Sequence, residues 1–400
     1  MDQTPQHRLF GMNRIIFVIG LVSFLTDLSS QMIVPILPLY LTTVLHVQVA
    51  TVGVIEGIAE SIASILKWLS GWASDRYGKS KPLMVAGYAL SNLVKPLFAL
   101  STTWGQILAI RLADRFGKGV RSTARDTLLA NSTSKEERGR AFGFRRSMDA
   151  LGAAIGPLVA VGILGWSGGN YQVVFWASAV PGILAVLLLI FFLKERSREK
   201  LPSTRRTLPK ITFKNMNTRV IGFTLIATLF SIGNFSDAFL VLRAQDVGMA
   251  IALIPLAYLT FNLTSSLFSV PLGILSDRLG RKPLIVSGYL IFAAIYLGFG
   301  LVKSVGWIWV LFVLYGLYYA ATEGIQKAYI ADLVPEEQRG TALGTFNALT
   351  GMAALPASVL AGLFWQNFGP LVAFGSSSLL AVLAAILLLM QKDDRQVEKS

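Results

Sequence analysis

The sequence predicts an all-α membrane protein of twelve transmembrane helices in two pseudo-symmetric six-helix bundles. Three observations lead there. Apolar residues make up 54% of the 400 residues and charged residues only 14%. Apolar runs of about 20 residues recur along the chain, the length that crosses a ~30 Å hydrocarbon core at 1.5 Å per helical residue. The chain also repeats itself at an offset near 201: "GWASDRYGKSKPLMVAGY" (71–88) matches "GILSDRLGRKPLIVSGY" (273–289), and "EERGRAFG" (136–143) matches "EQRGTALG" (337–344).

The repeat sets an N-terminal bundle at 1–193 and a C-terminal bundle at 220–400. The linker between them, 194–219, is basic, contains prolines and has no apolar period. A net charge of +14 would suit nucleic acid, but the basic residues sit mostly between spans, as the positive-inside rule requires. Segments near 44–50, 101–105, 165–171 and 365–370 lack Lys and Arg, whereas those near 76–81, 135–140, 194–219 and 278–282 are rich in them. Both termini and the linker are therefore expected in the cytoplasm, with an even number of spans. The absence of Cys excludes disulfides and thiolate metal sites. The histidines are His7, near the terminus, and His46, in an expected external loop. No P-loop, nucleophile elbow or His-based metal site is present, so no enzyme, cofactor or metal is expected.

Helix 1 starts near Ile15, runs too long for a cleavable signal peptide, contains proline and carries Asp27. Helix 2 places Glu56, Glu60 and Lys67 within about 40° of arc, a face that must point inward. Helix 3 carries Lys95. Helix 4 lies between the external "STTW" (101–104) and the cytoplasmic "SKEERGR" (134–140). Its Arg111, Asp114, Arg115, Lys118, Arg121, Arg125 and Asp126 fall within about 140° of arc, a stripe about 21 Å long. Leu112, Ala113, Phe116 and Val120 lie opposite. Each mid-membrane charge costs roughly 2.5–3.5 kcal/mol, so the stripe must face protein or a watery cavity. Two readings remain open: internal pairing with Asp114, or an anionic ligand, since basic groups outnumber the local acids.

Helix 5 carries Arg145 and Asp149 one turn apart. The second half keeps Asp237, Arg243, Asn262, Glu323, Gln326 and Lys327. Helix 10 has Phe312, Gly316 and Tyr319 where helix 4 has Arg111, Arg115 and Lys118. Anion recognition is thus expected mainly in the N-terminal bundle. Asn262 and Tyr319, beside Tyr315 and Tyr318, are softer contacts.

The two copies of G-x-x-x-D-R-x-G-[RK] have a physical reading. Gly71 admits a neighbouring helix, Gly78 allows a tight turn, Asp75 suits a helix N-terminus, and Arg76 and Lys79 can form ion pairs. On these motifs the chain resembles the major facilitator superfamily of secondary transporters over its whole length. The resemblance implies a cytoplasmic gate latch at Gly71, Asp75, Arg76, Gly78 and Lys79, with Asp277, Arg278 and Arg281 as its pseudo-symmetric counterpart. "VPILP" (34–38) resembles the P-x-x-P of drug/proton antiporters, and "GAAIGP" (152–157) partly resembles an antiporter motif, although small residues at that spacing also permit close helix packing. "TDLSSQMIVPILPLYL" and "RFGKGVRSTARD" are similar to a bacterial subgroup of mostly undefined substrate, with Gln31 where that subgroup usually has Glu.

The expected function is secondary active transport of an anionic organic solute or metal chelate (carboxylate, phosphate, iron–citrate or siderophore type) by alternating access. Arg111, Arg115, Lys118 and Lys95 are expected to bind the anion. Asp27, Glu56 and Glu60 are the proton-coupling candidates, with Asp237 and Glu323 behind them. A proton or ion gradient would drive a monomer in a bacterial inner membrane, with no partner beyond solute and bilayer. The alternatives are a multidrug/proton antiporter working in efflux and a non-transporting membrane receptor.

Overall fold

The computed structural model describes residues 8–9, 12–77, 80–132, 138–193, 217–335 and 338–391. Within these, the side chains of 8–9, 12–13, 67–77, 80, 123, 127, 130–131, 138–140 and 339–340 are outside the description. The architecture is helical, apart from a two-residue antiparallel pairing of Arg8–Leu9 with Met12–Asn13. The first six helices are α1 (Arg14–Thr43), α2 (Val49–Tyr77), α3 (Ser80–Val94, continued as a 3-10 turn over Lys95–Leu100), α4 (Trp104–Asn131), α5 (Arg138–Trp166) and α6 (Tyr171–Phe192). The second six are α7 (Thr218–Asp246), α8 (Ile254–Leu279), α9 (Arg281–Leu301), α10 (Val305–Asp332), α11 (Arg339–Met352 and Ala354–Phe368) and α12 (Pro370–Met390). Helix α7 begins inside the expected linker because the Asn217 side chain caps it, accepting from Arg219 N at 3.1 Å.

Among the described residues, eleven helices are long and apolar enough to cross a membrane. The twelfth, α4, has the length but carries too much charge. It starts in a capping box: Thr103 Oγ1 accepts from Gln106 N at 3.4 Å, while Gln106 Oε1 accepts from Thr103 N at 3.3 Å.

Duplication is visible in atomic detail. Both ends of α4, 104 and 131, lie 201 positions before those of α10, 305 and 332. Lys81 Nζ donates to Ile190 O at 3.4 Å, and its counterpart Lys282 donates to Leu389 O at 3.4 Å and also to Gln391 O. In each half a lysine thus satisfies carbonyls left unpaired at a helix C-terminus. At the far end of α3, Tyr40 OH donates to Ser101 O at 2.8 Å; in the same place on α9, Arg243 Nη2 donates to Val302 O at 2.7 Å. Both α1 and α7 are interrupted midway. In α1 the break lies after Ile33, where Pro35 removes a donor; in α7 it spans Asn234–Asp237, and Asn234 leaves the helical region at ψ 77° without any proline.

The helices form two compact units. The first comprises Met1–Val47, Ile62–Leu208 and Ala250–Leu259, and the second Gln48–Ser61, Pro209–Met249 and Thr260–Ser400. Relative to boundaries at 1–193 and 220–400, the first turns of α2 therefore group with the second unit and those of α8 with the first.

In the first unit, small residues bring backbones together. A Cβ at Gly152 would lie 2.5 Å from Phe24 O, and one at Gly156 2.7 Å from Gln31 Cβ, so α5 rides on α1 through "GAAIGP". A Cβ at Gly87 would lie 2.7 Å from Gly117 O, and one at Gly117 2.6 Å from Gly87 O. This glycine pair lets α3 and α4 touch along their backbones. Ile16, Ile19, Val22, Met84, Leu128 and Leu189 belong to one buried apolar cluster of this unit.

Aromatic packing dominates the second unit: Phe230 stacks on Tyr289 at 3.9 Å and Phe292 on Tyr296 at 3.8 Å. Residues 48–61 are seated on α11 through Gly57, where a Cβ would meet Leu355 Cα at 3.0 Å, and through Ser61, whose Oγ accepts from Leu355 N at 3.0 Å.

Gly87→Leu should overpack the α3–α4 contact and destabilise the protein by about 1–3 kcal/mol, read as a lower thermal midpoint in detergent. Gly105→Ala, with open space at its Cβ, should stay within about 0.5 kcal/mol of the parent.

Candidate solute-binding site

The site grows out of the α3–α4 contact. Because Gly87 and Gly117 allow the backbones to meet, Ser91 comes within reach of α4, and its Oγ donates to Asp114 Oδ1 at 2.6 Å. Around Asp114 the charges of Lys95, Arg115 and Arg111 are gathered. Arg111, Asp114, Arg115 and Arg121 are buried, Lys118, Arg125 and Asp126 partly so, while Phe116 on the other face is 49% exposed. The charged stripe of α4 is therefore its more buried side, and Phe116 opposite it is turned outward.

Lys95 is 2% exposed. Its Nζ donates to Asn92 Oδ1 at 2.9 Å, Ser30 Oγ at 2.9 Å and Ser29 Oγ at 3.3 Å. The ammonium thus ties α3 to the middle of α1 while Asp114 and Asp27 balance its charge. All three donor positions are used, which satisfies the buried ammonium. Ser29, Ser30, Ser91 and Asn92 are not among the site residues expected from the sequence; "LSS" and "LSN" inside apolar runs are the available signal.

Further along the stripe, the Arg121 guanidinium lies 4.3 Å from the centroid of the Tyr88 ring. Arg125 Nε pairs with Asp126 Oδ1 at 3.1 Å, and Arg145 Nη1 with Asp149 Oδ2 at 2.9 Å. Arg125 and Arg145 are thus each paired with a neighbouring carboxylate. Around Lys95 and Asp114, the cations Lys95, Arg111, Arg115, Lys118 and Arg121 act together with the carboxylates of Asp114 and Asp27.

The remaining expected residues fall elsewhere. Glu56 is buried and Glu60 partly exposed on the α2 segment that belongs to the second unit. Asp237 sits at the α7 break, where its Oδ1 accepts from Tyr315 OH at 2.8 Å. Beside it, Asn234 Nδ2 donates to Tyr318 OH at 3.0 Å. Tyr319 packs edge-on against Phe261 at 5.6 Å, and Asn262 is partly buried on α8. Glu323 is exposed and pairs with Lys327 at 2.5 Å.

In the second signature, Arg281 pairs with Asp277 at 2.6 Å and Asp332 at 3.1 Å, while Arg278 is exposed. In the first, the side chains of Asp75 and Arg76, and Gly71 with them, are outside the described residues, as are Gly78 and Lys79 altogether. Among the described residues, no three His, Cys, Asp or Glu side chains are grouped to hold a metal ion.

Asp114→Ala should strand several buried cations and cost about 3–5 kcal/mol, whereas Ser91→Ala should cost about 1 kcal/mol. Unfolding midpoints of the two variants check this order.

Comparison with known proteins gives a consistent family. The model of the Major Facilitator Superfamily matches residues 19–242 and 220–400. An uncharacterized MFS-type transporter of Methanocaldococcus jannaschii is 36% identical over 380 residues, 94% of each chain. A class H tetracycline resistance protein of Pasteurella multocida is 26% identical over 87% of this chain and 88% of its own length. The cis,cis-muconate transport protein of Acinetobacter baylyi is 26% identical over 72% of this chain and 73% of its own. Among solved structures, a mutant of the nucleoside transporter NupG superposes with a TM-score of 0.81 at 15% identity, over 94% of this chain and all of that one, a likeness of fold. With its duplicated helices, its paired signatures and these matches, the chain belongs to the major facilitator superfamily and is a multi-pass membrane transporter.

Proposed function

We propose that this transporter moves an anionic organic solute or metal chelate by alternating access, with protons as the driving ion. The observation that carries the proposal is the concentration of Lys95, Arg111, Arg115, Lys118 and Arg121, buried or half-buried, around Asp114 and Asp27. In a site of low dielectric, charge-assisted hydrogen bonds to a carboxylate or phosphate compensate cations that water no longer solvates. Muconate is a dicarboxylate, so the likeness to a muconate transport protein supports the same class. Iron–citrate and siderophore-type chelates belong to that class by charge. The distribution of Lys and Arg supports placing both termini in the cytoplasm, and the family resemblance supports a bacterial inner membrane.

A second reading is export of drugs against protons, supported by the likeness to a tetracycline resistance protein and by Pro35 and Pro38 in α1. The two readings differ in the charge of what binds.

Purified protein screened by thermal shift against organic anions, metal chelates and cationic dyes separates them. Anions are expected to stabilise it, with the shift lost in Arg115→Ala and Lys118→Ala. Anion shifts that survive both substitutions would refute this site. Stabilisation by cationic dyes alone would favour drug export.

A further inference from the structure

Two buried cations of the first unit, Lys95 and Arg121, are in opposite situations. The Lys95 ammonium commits its donors to Asn92, Ser30 and Ser29. Arg121 is 4% exposed, yet among the described residues it makes neither a hydrogen bond nor an ion pair, and its enclosed Nε has no acceptor. The carboxylates of the neighbouring turns are engaged elsewhere: Asp114 accepts from Ser91, Asp126 from Arg125 and Asp149 from Arg145.

What Arg121 does touch is the face of the Tyr88 ring, with the guanidinium carbon 4.3 Å from its centroid. A ring face offsets part of the charge but supplies no oxygen for the five N–H donors of the fork. The base of the side chain is pressed against α3, because a Cβ at Gly87 would lie 2.9 Å from Arg121 Cβ. A buried guanidinium is thus held in place with its donors unanswered.

The repeat shows that the fold does not require this charge. At the offset of 201, the counterparts of Gly87, Tyr88 and Arg121 are Gly288, Tyr289 and Thr322. The approach is equally close, since a Cβ at Gly288 would lie 2.4 Å from Thr322 Cγ2. Thr322 is satisfied within its own helix, its Oγ1 donating to Tyr318 O at 3.0 Å, and Phe230 stacks on the Tyr289 ring at 3.9 Å. Tyr88 and Tyr289 both enclose a hydroxyl without a partner, so that hydroxyl belongs to the repeated scaffold. The guanidinium is what the first unit adds.

We propose that Arg121 grips the transported anion, its fork closing on one carboxylate or phosphate group, while Lys95 ties helices together. The assignment rests on the anion-transport reading. Two parallel N–H donors match the two oxygens of a carboxylate. The anion brings the countercharge and the acceptors that no described side chain gives Arg121.

Thermal unfolding of the full chain in detergent, in buffer free of phosphate and carboxylates, tests the assignment. The probes are inorganic phosphate, citrate, ferric citrate and cis,cis-muconate. Without any probe, Arg121→Met keeps the length of the side chain and removes a buried charge that lacks a counterion. Its midpoint should therefore equal or exceed that of the parent; a lower midpoint would make Arg121 a structural residue and overturn the inference. A probe that stabilises the parent should have no effect on Arg121→Met. Arg121→Lys, which keeps the charge and loses the fork, should bind that probe at least about tenfold more weakly. A shift that survives Arg121→Met but is lost in Arg115→Ala and Lys118→Ala would overturn the inference and leave the anion-transport reading in place. If no anion of the wider screen shifts the parent, both fall.

Discussion

Desolvation of the charged face of α4 is the constraint on which the first unit depends. Each charge placed at the middle of a bilayer costs several kcal/mol unless protein or water compensates it. The compensation here is specific. Two glycines, Gly87 and Gly117, let α3 come close enough for Ser91 to reach Asp114. Asp114 then gathers Lys95, Arg111 and Arg115, and Lys95 recruits Ser29 and Ser30 from α1. Gly152 and Gly156 draw α5 onto the same helix, against Asp27 and Gln31. Small residues and polar groups thus act together: the first set the distances that the second require.

The second unit shows how a duplicated scaffold can be kept while its chemistry departs. Lys81 and Lys282 cap equivalent helix ends, and residues at the ends of α1 and α7 grip the same carbonyl position. On α10, however, the places of Arg111, Arg115 and Lys118 hold Phe312, packed against Phe299, then Gly316, against Phe261 O, and Tyr319. Asp237 accepts a hydrogen bond from Tyr315. Capping and close approach belong to the fold and recur, whereas charge belongs to the site and does not.

Local features were legible from the sequence. The phase of α4 follows from its 3.6-residue period, and the Arg145–Asp149 pair from a spacing of four. The break in α1 is announced by proline; that in α7 is not, because Asn234 ends the helix through backbone geometry and tyrosine contacts from distant helices. The sequence marks Lys95 as a buried charge but does not show it as a tether, since Ser29 and Ser30 are more than sixty positions away. The grouping of residues 48–61 with the second unit depends on glycine contacts with Leu355 and Ser358, which no local pattern encodes.

The central claim is that protein, not lipid, surrounds the charged face of α4. The chain contains no cysteine, so single spin labels at Arg115→Cys, Arg121→Cys and Phe116→Cys report the environment of each face without background. Collision with dissolved oxygen, which concentrates in lipid, should be strong at position 116 and weak at positions 115 and 121. Equal oxygen access at all three positions would place the charges in the bilayer and contradict the account.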